Sequence, residues 1–144
     1  MTALCLTFII VLVSDQALKF LLRCRLGPRA LPLGPFGSLR IVAGHLWLRR
    51  PGRDSSHAVV WRFWVAGAMP LVLLSASISL SGIFVGLLLG GSFSHAVEMS
   101  LRGAVTDYIC LRFWPAFNLA DLALVAGAIG TVLQLRTAIL GMGW

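Results

Sequence analysis

Hydrophobic residues along this chain fall into long unbroken runs separated by short polar stretches. Thr2 to Leu22 is apolar for about 21 residues, enough to cross a bilayer as a helix. It has no positive leading segment and no small-residue cleavage site, so it reads as a permanent span rather than a removable leader. Residues 23–57 break the pattern: they are rich in Pro, Gly and Arg and only intermittently apolar. From Ala58 to Val97 the chain is apolar again, with Arg62 as its one strongly basic residue. That length exceeds one span and suits two, with the break near Ser75-Ala76-Ser77-Ile78-Ser79. A final run covers 119–140. The pattern predicts an all-α membrane protein with four transmembrane helices at roughly 2–22, 59–76, 80–98 and 119–140, forming one integral membrane domain over 1–144.

Two further periodicities refine this picture. Gly82, Gly86 and Gly90 recur every four residues, and Ala123, Gly127 and Thr131 do the same, the spacing that lets helices approach closely. In the loop, Leu39–Val42 and Leu46–Leu48 flank Gly44 and predict two short strands of a small sheet lying on the membrane surface. His45, Trp47 and the neighbouring arginines suit an interface.

Composition agrees: 58% hydrophobic, 12% charged and a mean hydropathy of +0.91 exclude an ordinary soluble domain. The net charge of +7 does not point to nucleic acid, because Arg23, Arg25, Arg29, Arg40, Arg49, Arg50 and Arg53 cluster in one loop beside membrane helices. Such a cluster meets anionic lipid head groups. By the charge rule for topology this loop would face the cytoplasm. Cys5, Cys24 and Cys110 are widely spaced and match neither a zinc site nor a disulfide framework.

The informative residues are the acidic ones. The chain has five, Asp15, Asp54, Glu98, Asp107 and Asp121, and four of them lie in or beside apolar runs. A charge at membrane depth costs roughly 2.5–3.5 kcal/mol on insertion scales, which makes each a functional candidate. Asp15 and Lys19 are four apart and share a helical face, either as a self-neutralising pair or as a polar patch facing a site inside the bundle. His95 and Glu98, three apart, form half of a metal-ligand pattern with no second half, and read better as polar residues lining a helix mouth. Asn118 and Asp121 share a face at the start of the last helix, where their oxygens suit free N–H groups.

Taken in order, Ser14-Asp15-Gln16-x-x-Lys19, Gly90-Gly91, Gly103-x-Val105-x-Asp107 and Pro115-Ala116-Phe117-Asn118-Leu119-Ala120-Asp121 resemble the signal peptidase II family of bacterial lipoprotein signal peptidases. The resemblance spans essentially the whole chain. It implies a membrane aspartic endopeptidase in which Asp107 and Asp121 are the catalytic pair, with Asp15, Gln16, Lys19, Asn118, His95 and Glu98 in binding or supporting roles. It implies cleavage just before a cysteine carrying diacylglyceryl, in a prolipoprotein substrate, at the outer face of the bacterial cytoplasmic membrane. It implies membrane lipid as the surroundings, no metal, no cofactor, no nucleic-acid partner and a monomer. The surface sheet looks like the family's membrane-lying cradle, and the family places that loop outside, against the charge rule.

The chain departs from the family pattern in one patch. A GGxxGNxxDR pattern reads here Gly90-Gly91-Ser92-Phe93-Ser94-His95-Ala96-Val97-Glu98-Met99, with His95 for asparagine, Glu98 for aspartate and Met99 for arginine. A second element, NxGAxF, appears as Val42-Ala43-Gly44-His45-Leu46-Trp47. Two alternatives therefore stand beside the peptidase reading. One is a diverged homologue that binds lipidated peptides without cutting. The other is a small non-enzymatic membrane subunit whose carboxylates pair with arginines and lie far apart.

Overall fold

The computed structural model describes residues 1–43, 56–77 and 80–141. Four helices, α1 (Thr2–Leu26), α2 (Ser56–Ser77), α3 (Gly82–Arg102) and α4 (Leu119–Gly141), are each long and apolar enough to cross a membrane. Their outward faces carry Ile9, Val13, Phe63, Leu73, Val125 and Ile129, all well exposed, as lipid-facing side chains would be. The chain is a multi-pass membrane protein.

α3 is the central helix and packs against the other three. Its glycine row is the α1 interface. A Cβ on Gly86 would stand 2.7 Å from the Leu4 carbonyl oxygen and 2.8 Å from Thr7 Cβ, and one on Gly90 would stand 2.9 Å from the Phe8 carbonyl oxygen. On another side, a Cβ on Gly91 would come within 2.7 Å of the Ala120 carbonyl oxygen of α4. Backbones this close leave room for no larger residue, so the small-residue rows set the helix spacing. Val85, Leu80 and Leu89 fill the core with Leu4, Phe8, Trp64 and Leu71 around them.

The β element is larger than the surface loop alone predicts. Strand β1 (Leu31–Pro32) pairs antiparallel with β2 (Gly37–Ala43), and β2 pairs antiparallel with β3 (Thr106–Leu111), giving the order β1-β2-β3. The third strand comes from the α3–α4 connection. Its partner lies more than sixty residues upstream, with Val42 opposite Asp107 and Ala43 opposite Thr106. Leu39–Val42 lie within β2, while Leu46–Leu48, His45 and Trp47 fall outside the described residues.

Two helix ends differ from the sequence reading in ways that matter for the site. α1 continues to Leu26, which brings Arg23 onto the same row as Val11, Asp15 and Lys19, at four-residue spacing. α3 continues to Arg102 and stops at Gly103, whose φ of 68° and N–H bond to the Met99 carbonyl (3.0 Å) form a left-handed helix end. That turn sends the chain directly into β3.

Candidate active site

The polar residues singled out in the sequence converge at one end of the bundle, where α1 and α3 finish, α4 begins and β3 crosses between them. Asn118 is the hub. It is fully buried; its side chain touches the Asp107 carboxylate and its backbone N–H the Asp121 carboxylate. Asn118 Nδ2 donates to Asp107 Oδ1 at 2.8 Å and to the Thr106 carbonyl at 3.3 Å. On its other side, Asn118 Oδ1 accepts from the Asp121 N–H at 3.0 Å, while the Asn118 N–H donates to Asp121 Oδ2 at 2.8 Å. This reciprocal pair is a capping box at the start of α4. One residue therefore links the Asp107 carboxylate on β3 to the Asp121 carboxylate on α4, the charge of one acts on the other, and among the described residues neither is paired with an arginine.

His95 joins them from α3. Its Nε2 lies 3.2 Å from Asn118 Oδ1 and 3.5 Å from Asp121 Oδ1. Asp121 is 37% exposed and His95 21%, so the pair opens to the outside, whereas the residues behind it are closed off. Burial raises the Asp107 carboxyl above its ordinary value; the Asn118 amide pulls the other way, and the charge of Asp121 adds to the rise.

Behind the two aspartates lies a buried charge cluster. Lys19 Nζ sits 2.6 Å from Asp15 Oδ2 and 2.8 Å from Glu98 Oε2. Arg23 reaches the same Glu98 and also donates to Thr106 Oγ1. Glu98 Oε2 accepts the Thr106 N–H at 2.9 Å. Thr106 is thus held at its N–H, its hydroxyl and its carbonyl, which fixes the first residue of β3 and hence Asp107 beside it. Glu98 is 1% exposed and belongs to this cluster, not to an open helix mouth. Asp15 and Lys19 are both 0% exposed and form the inward-facing patch rather than an interfacial pair.

Asp15 orders the other flank. It accepts from Ser94 Oγ at 2.5 Å, from the Ala120 N–H at 3.2 Å and from Tyr108 Oη at 3.5 Å. Gln16 donates to Ser94 Oγ at 2.7 Å, and Tyr108 Oη accepts the Leu119 N–H at 2.8 Å. Burial pushes the Tyr108 hydroxyl up, so it stays a donor. Arg23, Ser94, Thr106 and Tyr108 were not singled out from the sequence. The alternation that buries Thr106 and Tyr108 and leaves Asp107 half-buried is the strand signal that would have found two of them. Among the described residues no group of His, Cys, Asp or Glu side chains is arranged to hold a metal ion.

Comparison with known proteins agrees with this architecture. A family model described as signal peptidase (SPase) II matches residues 7–137. The lipoprotein signal peptidase of Methylobacterium radiotolerans is 30% identical over 156 aligned positions, covering 90% of this chain and 82% of that protein. That of Syntrophomonas wolfei is 27% identical over 134 positions, covering 85% of each. Two bacterial membrane enzymes solved by the in meso method superpose with TM-scores of 0.77 and 0.79 at 19% and 20% identity. They cover 95% and 94% of this chain, and 89% and 93% of theirs, and so share its fold. With the family model spanning nearly the whole chain and the fold shared from end to end, this protein belongs to the signal peptidase II family of membrane peptidases.

Proposed function

We propose that this protein is an aspartic endopeptidase that removes signal peptides from lipid-modified prolipoproteins, with Asp107 and Asp121 as its catalytic pair. The observation that carries the reading is the single residue Asn118, whose side-chain amide holds the Asp107 carboxylate and whose backbone N–H holds that of Asp121, at the open end of a buried polar network. Two neighbouring carboxylates do not both ionise easily, so the pair holds one proton between them and titrates as a unit.

That state supplies what amide hydrolysis needs. The ionised carboxylate takes a proton from water as the water oxygen bonds to the scissile carbonyl carbon. The protonated carboxyl gives its proton to the leaving nitrogen as the C–N bond breaks. One proton has entered the pair and one has left it, so the pair is ready for another turn after exchange with solvent. No metal or cofactor takes part in this scheme. The relatives are lipoprotein signal peptidases, which supports a lipoprotein substrate; the family resemblance implies that its cleavage-site cysteine carries diacylglyceryl. The lipid-facing helices keep that anchor in the bilayer and bring the bond beside the cysteine to the site at the bundle's end. The chain works as one integral domain, as a monomer, in the bacterial inner membrane, and has no role with nucleic acid.

The test is incubation of the purified protein in detergent with a prolipoprotein carrying diacylglyceryl-cysteine and with the same protein unmodified. Cleavage of the first just before the cysteine, and not of the second, is the expected result. No cleavage of either by folded protein would replace this reading with that of a homologue that binds lipidated peptides without cutting.

A further inference from the structure

His95 is the one imidazole among the described residues that reaches the aspartate pair. Its Nε2 faces two acceptors, Asn118 Oδ1 at 3.2 Å and Asp121 Oδ1 at 3.5 Å. The Asn118 amide cannot be turned round, because its Nδ2 already donates to Asp107 and to the Thr106 carbonyl. Both partners being acceptors, Nε2 carries a hydrogen whether the ring is neutral or charged. The positive charge that His95 exerts on the pair therefore sits beside Asp121.

We propose that His95 is a positioning residue that holds Asp121 as the ionised member of the pair, so that Asp121 activates water and Asp107 supplies the proton to the leaving nitrogen. This rests on the aspartic reading above and assigns the two roles within it. The surroundings do not cancel the effect. From β3 the facing group is Asp107, and from α1 come Asp15 and Lys19, which neutralise each other in direct contact. Along α3, Glu98 is taken up by Lys19 and Arg23. α2, which meets α3 at Trp64 and Ser92, brings only His57 and Arg62 as titratable groups within Ser56–Ser77. Burial is the largest influence on Asp107 and raises it, with the Asn118 amide, His95 and Lys19 pulling it down; the balance favours its protonated form, which agrees with the assignment.

The proton balance is complete. Water gives a proton to Asp121, Asp107 gives one to the departing nitrogen, and His95 neither gains nor loses one during the step.

The test compares the pH dependence of kcat/KM on a diacylglyceryl-cysteine lipopeptide for the parent, His95→Gln and His95→Asn, each profile normalised to its own maximum. A cation beside Asp121 lowers the pH at which the pair first ionises. Removing it should move the acid limb up by about one pH unit in both variants, since the pair is partly exposed. An acid limb that coincides with the parent's, or a uniform loss with an unchanged shape, overturns the proposal.

Infrared titration reads the roles without turnover. The carboxyl left in Asp121→Asn, Asp107, should ionise at higher pH than the carboxyl left in Asp107→Asn, Asp121. The reverse pattern overturns the assignment. Failure of the underlying reading looks different: either aspartate variant would cleave, or the parent would not, whatever the spectra show.

Discussion

Replacing Lys19 by methionine perturbs the buried charge cluster at its centre. Lys19 Nζ lies 2.6 Å from Asp15 Oδ2 and 2.8 Å from Glu98 Oε2, and no member of this trio is more than 1% exposed. With Arg23 as fourth member, two cations meet two carboxylates. Lys19→Met leaves an uncompensated negative charge where water does not reach. Breaking a buried pair in this way costs about 3–5 kcal/mol. Asp15 keeps its bonds from Ser94, Ala120 and Tyr108, which places the expected loss near the lower end, about 3 kcal/mol. For a chain of this size that lowers the unfolding midpoint by about 10 °C.

The informative comparison is a double-mutant cycle with Glu98→Gln, because the double variant restores neutrality by removing one charge of each sign. Its loss should fall short of the sum of the two single losses by about 1–3 kcal/mol. The assay is thermal unfolding of purified proteins in one detergent at one protein concentration, followed by circular dichroism. Additivity within about 0.5 kcal/mol would refute the coupling. So would a Lys19→Met midpoint within about 2 °C of the parent's.

Two further predictions follow from the same contacts. Asn118→Ala removes the cap of α4 and the amide between the aspartates, so it should cost about 1 kcal/mol of stability and about 10²-fold in kcat, read by thermal unfolding and lipopeptide cleavage. A kcat within twofold of the parent's would contradict the hub role. The raised Asp107 carboxyl sets a pH dependence of stability. Above the ordinary aspartate value the unfolded chain has released this proton while the folded chain still holds it, so this group's contribution to stability falls as pH rises toward the folded value. Unfolding midpoints of Asp107→Asn should therefore gain on the parent's across that window, and a constant difference would contradict the shift.

Much of the site was readable before the structure because it follows local periodicity. Asp15 and Lys19 share a face through four-residue spacing, and the Asn118–Asp121 capping box follows from its position at a helix start. The glycine rows likewise mark faces where helices meet. What was hidden depends on contacts far apart in the chain. β3 has a burial alternation of its own, but its pairing with β2 joins Val42 to Asp107 and carries no local mark. Arg23 sat just past the expected end of α1 at Leu22, among loop arginines, so nothing set it apart until the helix was seen to continue. Glu98 read as a mouth residue because its partners, Lys19, Arg23 and the Thr106 N–H, come from two other elements.

The most direct test of the central claim is cleavage of a diacylglyceryl-modified prolipoprotein by the parent, Asp107→Asn and Asp121→Asn, with each variant's unfolding midpoint measured alongside. The account predicts that the parent cuts just before the lipidated cysteine and that both folded variants do not. Cleavage at a rate near the parent's by either folded variant would contradict the account, because the hydrolysis would then be proceeding without the pair.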